Sequence, residues 1–302
     1  MATWGALPSE IRLSIMEMVA GNGKLEHLKH GQSNDQATRK TSAYASVSRE
    51  WQAFFEKRHF ERILLSLPRL SDFGRIVQGL RKKLVRHIGL QIKLTTYDCP
   101  SCRFIEHVTE ISLNNTAFVQ TLTALFTVLS TWEPYDLKEG LTLELCIYSP
   151  SDSKHMFKDH NFEHDPYLDD NEEFRTIAAP RHMGPRFHDP FHSWHNGYRS
   201  LQPGEEEHFL SNITRLQGHG LYIVPPAHNL DPPYSARRFL PKVNVVTTLL
   251  IRRQYYRQID PDGMAQLFES LPKLKHINYE PLESLLPPTR AYRDKRKYIL
   301  AL

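Results

Sequence analysis

Hydrophobic positions in the first sixty-odd residues repeat with the period of a helix, and the two helices they predict differ in how much of their surface is apolar. In YASVSREWQAFFEKRHFERI (44–63), Tyr44, Val47, Trp51, Phe54 and Phe55 share one face at 100° per residue. Arg49, Glu50, Gln52, Glu56 and Lys57 take the remainder, so one face is buried and the other is wet. With Trp51 in the core, Trp51→Ala is expected to cost about 3–5 kcal/mol. Upstream, LPSEIRLSIMEMV (7–19) opens with Pro8 at a first helical position and Glu10 near the positive end of the helix dipole. Leu7, Ile11, Ile15 and Met18 form one apolar face, while Leu13 and Met16 point the other way and leave only a wedge of Glu10, Ser14 and Glu17. A helix this apolar needs cover on two sides, and the aromatic helix supplies one. A unit of about 60 residues is also marginal alone. The second cover is therefore the downstream body or another chain. Between the two helices, GNGKLEHLKHGQSNDQATRKTS (21–42) is rich in turn formers and reads as an inserted loop.

From 68 to 150 the periodicity alternates between 3.6 and 2. SDFGRIVQGLRKK reads as a helix, LVRHIGLQIKL as a strand, NNTAFVQTLTALFTVLSTW as a helix and LTLELCIYSP as a strand. Residues 151–218 carry His, Asp, Pro and Gly and read as irregular surface loops. Alternation resumes with LYIV, VNVVTTLLIRR (strand), DPDGMAQLFESL (helix), LKHINYE (strand) and a basic closing helix, RAYRDKRKYILAL. Two pieces resemble each other: DFGRIVQGLRKKLVRHIGL (72–90) and DGMAQLFESLPKLKHINYEPL (262–282) both run acidic helix start, apolar helix, basic turn and His-Ile strand. The step from Leu249 to Ile277 is 28 residues, within the leucine-rich-repeat range. The expected fold is a helix-rich α/β chain: a helical unit over 4–65, then an irregular helix-plus-strand solenoid over 66–302 with loop insertions.

Composition adds what the pattern leaves open. The chain has 302 residues, a formal charge of +4 and interspersed acids and bases, too mild a balance to point to nucleic acid. No apolar run is long enough to span a membrane, and the amino end lacks a secretory signal. Three cysteines, Cys99, Cys102 and Cys146, suit a reducing compartment, so a cytoplasmic or nuclear location is expected. The expected partner is another protein. Arg81, Lys82, Lys83 and Arg86, and later Arg290, Arg293, Lys295, Arg296 and Lys297, read as solvated helix ends.

Candidate chemistry is sparse. The tract from His155 to His195 holds seven of the sixteen histidines, and HDPFHSWH brings His188, Asp189, His192 and His195 close in sequence. A metal site needs three or four convergent ligands on a rigid frame, and here the frame is a Pro-rich loop. Cys99-Pro-Ser-Cys102 is half a zinc pair with only His107 near it in sequence, and it lacks the strand-to-helix setting of a redox motif, so it reads as a strand-end turn. No phosphate loop, nucleophile elbow or HExxH occurs. No catalytic residue, metal or cofactor is expected, and the chain is not read as an enzyme.

LPSEIRLSIMEMV followed by YASVSREWQAFFE resembles the F-box, in which a Leu-Pro-x-Glu-Ile helix precedes a Val-Ser-x-x-Trp element. VSREWQAFFEKRHFERILL, YDCPSC and LTLELCIYSPSDS are similar to stretches of fungal F-box proteins with divergent leucine-rich-repeat-like bodies. The F-box part covers residues 4–62. The resemblance implies a substrate adaptor of a Skp-cullin-F-box ubiquitin ligase, docking the Skp-type linker through its amino-terminal helices and a protein substrate through the rest. It implies that Leu7, Pro8, Ile11, Ile15 and Met18 face the linker, with Val47 and Trp51 completing the packing between helices. The insertion at 21–42 is longer than a compact F-box link, which bears on the middle helix. The competing expectation is a stand-alone repeat scaffold whose first helices merely cap it, with Leu13 and Met16 buried by residues beyond 65.

Overall fold

The computed structural model describes residues 4–30, 43–137, 139–155, 157–158, 184–199, 206–223, 240–252 and 257–280. The chain divides into two compact units, Met1–Ile63 with Val77–His87, and Leu64–Ile76 with Ile88–Leu302. The return of 77–87 to the first unit carries no signal in the hydrophobic pattern.

In the first unit, helix α1 (Ser9–His30) and helix α2 (Arg49–Glu61) stand where the apolar spacing puts them, with two differences at the ends. Helix α1 continues through the first ten residues of the stretch expected to be a loop. KLEHLK (24–29) consists of good helix formers apart from His27, and the helix carries on past Gly21 and Gly23 to reach them. Residues 31–42 of that stretch lie outside the described residues. Pro8 sits just before the helix, its carbonyl accepting the Arg12 N–H at 3.1 Å. At α2, Ser48 is the cap: its extended backbone (φ −161°) lets Oγ accept the Trp51 N–H at 3.3 Å. Val47 therefore belongs to the preceding turn and not to the helix face.

Glu50 joins these pieces. One carboxylate oxygen accepts Trp4 Nε1–H at 2.9 Å and the other accepts Arg12 Nε–H at 3.0 Å. The Trp51 ring lies 5.6 Å from Trp4, 6.0 Å from Tyr44 and 5.7 Å from Phe55, an aromatic cluster whose sealed member is Phe55 while Trp51 is half-buried. Arg81, in the turn Gly79–Leu84, donates to Glu56 at 2.7 Å and holds its carboxyl below the usual range.

The sheet has the order β1-β2-β3-β6-β7, from β1 (Arg62–Ser66), β2 (His87–Lys93), β3 (Leu141–Tyr148), β6 (Val246–Ile251) and β7 (His276–Tyr279). Strand β1 was not expected, since RILLS follows the aromatic helix without a turn residue between them. β3 pairs with β6 and β6 with β7 in parallel, and Leu249 stands opposite Ile277, the two ends of the 28-residue step read from the sequence. Parallel neighbours need crossovers. Between β6 and β7 the crossover carries helix α6 (Pro261–Glu269), capped by Asp260, whose side chain accepts the Asp262 N–H at 3.0 Å. β3 is buried along nearly its whole length, as a strand covered on both faces must be. Helix α3 (Leu70–Ile76) is shorter than the helix expected over SDFGRIVQGLRKK, because the chain turns at Gly79 (φ +54°), and helix α4 (Val108–Leu129) seals Phe118, Leu122, Leu125, Phe126 and Leu129 into the core of this unit. Beneath Cys146 and Tyr148 of β3 lie Phe157 and, from helix α5 (Glu206–Gln217), Ile213 and Leu216.

The mixed helix and strand content with parallel strand pairs agrees with an α/β chain. Within the tract 151–218, read as loops, the structure places α5 and a small hairpin, β4 (Trp194–His195) with β5 (Tyr198–Arg199). The i, i+4, i+7 spacing of Phe209, Ile213 and Leu216 is the helical signal that the polar neighbours hid. Residues 156, 159–183 and 200–205 of that tract, and the closing basic helix, lie outside the described residues.

Candidate functional site

Two constellations carry chemistry, one in each unit. In the first, α1 turns Met16 and Ala20 inward and leaves Ile15 half-buried between its two sides. The face expected to meet a partner stays open: Ile11 is 48% and Met18 60% exposed, Pro8 is exposed and Leu7 half-buried. Leu13, on the far edge, is 45% exposed. Val47 is 61% exposed, so it does not complete packing between the helices as the resemblance implied; the cap at Ser48 puts it on the outside of a turn. Trp51 packs against the rings of Trp4, Tyr44 and Phe55.

The second constellation is built from three segments. The turn Ser101–Arg103 follows Cys99-Pro100, with Cys102 N–H donating to the Cys99 carbonyl at 3.3 Å and Asp98 Oδ1 accepting the Ser101 N–H at 3.0 Å. This folds the Cys-x-x-Cys so that both sulfurs face one point. His107, the histidine nearest in sequence, is committed elsewhere: it caps α4, with Nδ1 2.9 Å from Thr109 Oγ1 and its N–H on Glu110 at 2.8 Å.

Two other histidines take its place. The first, His155, arrives from the turn after β3, which is braced by the buried Asp152 accepting the Ser149 N–H at 2.8 Å and the Tyr97 O–H at 2.8 Å. The second, His192, arrives from the turn Pro190–His192, after which Ser193 adopts φ +59° and the chain doubles back so that Asp189 and Trp194 pair through their backbones. The hairpin is closed by Asn196-Gly197, both at positive φ (+52° and +83°), the residues a tight two-residue turn demands. That dipeptide is a local hairpin signal within a tract whose composition otherwise resembles surface loop.

One ligand-capable atom from each of Cys99, Cys102, His155 and His192 lies within 4.8 Å of all the others. Cys99 Sγ is 3.4 Å from His192 Nε2, and His155 Nδ1 is 3.2 Å from the same nitrogen. The expectation that the cysteine pair lacks further ligands is thus corrected: Cys99 and His192 are 93 positions apart, a separation that only the fold closes. Around the cluster, His192 Nδ1 is 2.8 Å from Asp189 Oδ2, Lys158 also reaches Asp189, and His155 Nε2 is 3.4 Å from the Tyr97 carbonyl. The Tyr97 ring stacks on His155 at 5.1 Å, and Arg103 donates to the Phe191 carbonyl at 2.6 Å while its guanidinium covers the Phe191 ring. Burial pushes the Cys102 thiol up to about 11, with Cys99 adding to it, and burial lowers both His155 and His192. Among the expected neighbours, His188 and His195 meet edge to face at 5.3 Å and do not join the four.

Among the described residues, no helix is long and apolar enough to cross a membrane. No protein-family model matches this chain, and no curated protein or solved structure matches it.

Proposed function

We propose that the chain is the substrate adaptor of a Skp-cullin-F-box ubiquitin ligase, with α1 and the turn before α2 docking the Skp-type linker. The observation that supports this is the exposure of Ile11 and Met18 on α1 and of Val47 in the turn before α2, with Leu7 and Ile15 half-buried, on residues that match the F-box pattern. A chain does not gain by leaving such side chains in water, and covering each one contributes about 1.5–3 kcal/mol. In this reading the residues beyond 65 form a divergent leucine-rich-repeat-like stack that selects a protein substrate. Leu249 opposite Ile277 is the repeat step it retains, and the exposed Phe104, Ile105 and Val108 offer a place for apolar contact.

The stand-alone scaffold is the weaker reading. It requires Leu13 and Met16 both to be buried by residues beyond 65; Met16 is buried, but Leu13 is 45% exposed. Co-expression of the full chain with a Skp-type linker tests the proposal: a one-to-one complex in size-exclusion chromatography is the expected result, and two separate peaks overturn it.

A further inference from the structure

We propose that Cys99, Cys102, His155 and His192 form a structural zinc site that fastens the turn after β2, the turn after β3 and the β4–β5 hairpin to one another.

Two of the separations are close to those of a tetrahedral ligand set, and the rest are short enough for the four atoms to close on one ion. With Zn–S near 2.3 Å and Zn–N near 2.0–2.1 Å, the ligand atoms of such a site stand about 3.3–3.8 Å apart. The sulfur-to-nitrogen separation of 3.4 Å and the nitrogen-to-nitrogen separation of 3.2 Å match this, and all four atoms fall within 4.8 Å of one another.

The hydrogen-bond network gives a second, independent argument. Asp189 is a carboxylate and the Tyr97 carbonyl can only accept, so each fixes the proton on the outer nitrogen of its histidine: Nδ1–H of His192 and Nε2–H of His155. That leaves the inner nitrogens, His192 Nε2 and His155 Nδ1, both with lone pairs, facing each other at 3.2 Å. Two acceptors at that distance repel unless a cation lies between them. An outer carboxylate or carbonyl on each histidine is also the arrangement that orients imidazole toward zinc.

The chemical class follows from the donors. Two sulfurs and two imidazoles at tetrahedral spacing select Zn²⁺ over Mg²⁺ or Ca²⁺, which take oxygen. Four protein ligands fill the coordination sphere, and Cys102, His155 and His192 are buried, so the site is closed and structural. Zn²⁺ displaces the two thiol protons to solvent, and two thiolates balance its charge. The Asp189 carboxylate is balanced in turn by Lys158.

The test is metal analysis of the full chain purified with and without added zinc, alongside Co²⁺ substitution. The expected result is one zinc per chain and, with cobalt, thiolate-to-metal charge-transfer absorption. Cys102→Ser and His192→Ala are expected to lose at least nine-tenths of the metal, His192→Cys to retain it, and His107→Ala and His188→Ala to bind as the parent does. Because a ligand variant can fail to fold, the parent chain is also treated with a chelator and followed by hydrogen exchange. Faster exchange confined to 97–104, 149–158 and 187–199, reversed by zinc, is expected. Less than a tenth of an equivalent of zinc in the folded parent, a Cys99–Cys102 disulfide in its place, or full zinc binding by Cys102→Ser overturns the proposal.

Discussion

Glu106 and Arg257 meet as a two-pronged ion pair, Nη1 to Oε1 and Nη2 to Oε2 both at 2.7 Å, with each side chain 5% exposed. The remaining capacity of the carboxylate is filled by Asn114 Nδ2–H at 2.6 Å and the His219 N–H at 2.8 Å. Removing one partner strands the other charge in the interior. Glu106→Ala is expected to lower the unfolding free energy by about 3–5 kcal/mol, and Glu106→Leu with Arg257→Met to lose much less. Denaturant titration of both variants checks this; equal losses contradict it.

Gly218 makes room for that pair. It ends α5 at φ +56°, its N–H on the Thr214 carbonyl at 2.9 Å, and a Cβ there would sit 1.6 Å from Arg257 Nη1. Gly218→Ala adds the left-handed backbone penalty to a displaced guanidinium, and a loss of about 2–4 kcal/mol is expected. A thermal midpoint equal to that of the parent contradicts this reading.

Trp51 and Phe55 divide the aromatic core unequally. Trp51 is half-buried and Phe55 is sealed, so the large truncation cost expected for Trp51 from its spacing belongs to Phe55. Phe55→Ala is expected to cost about 3–5 kcal/mol, with Trp51→Ala clearly milder. Equilibrium unfolding that ranks Trp51→Ala as the more damaging contradicts the placement.

Asp152 gives the pH dependence a distinctive component. Burial pushes its carboxyl up to about 6, against the Ser149 N–H, the Tyr97 O–H and the guanidinium groups of Arg257 and Arg215. An unfolded aspartate titrates near about 3.9. Between these values the folded chain keeps a proton that the unfolded chain has lost, so this group's contribution to stability falls as pH rises from about 4 to about 6. Glu110, held low first by its hydrogen bond to Arg215, works in the other direction: its contribution is lost as pH falls below the ordinary carboxylate range. Asp152→Asn removes only the first effect. The variant is expected to match the parent near pH 4 and to exceed it by about 3 kcal/mol near pH 7; parallel stability profiles contradict this.

How much of this was legible depends on the range of the interaction. Helices α1, α2, α4 and α6, strands β2, β3, β6 and β7, and the Leu249–Ile277 step are written locally, in apolar spacing and in capping residues such as Ser48 and Asp260. Helix α5 was legible in Ile213 and Leu216 and the hairpin in Asn196-Gly197, but both lie in a tract whose composition resembles loop. The four-residue Cys/His cluster was not legible. Cys99 and His192 are 93 positions apart, and nothing in the intervening spacing says that His107 will cap a helix while His155 and His192 turn toward the sulfurs.

The most direct measurement of the adaptor reading is calorimetric titration of a Skp-type linker into the full chain, comparing the parent with Ile11→Asp and Met18→Asp. Leu80→Asp, in the turn Gly79–Leu84 and 77% exposed, serves as the control for an equally exposed apolar side chain of the same unit. Saturable one-to-one binding is expected of the parent and of Leu80→Asp. Each α1 variant, with its circular dichroism unchanged, is expected to bind about 100-fold more weakly, since a carboxylate replaces an apolar anchor. No binding by the folded parent, or equal affinity for all four proteins, contradicts the adaptor reading.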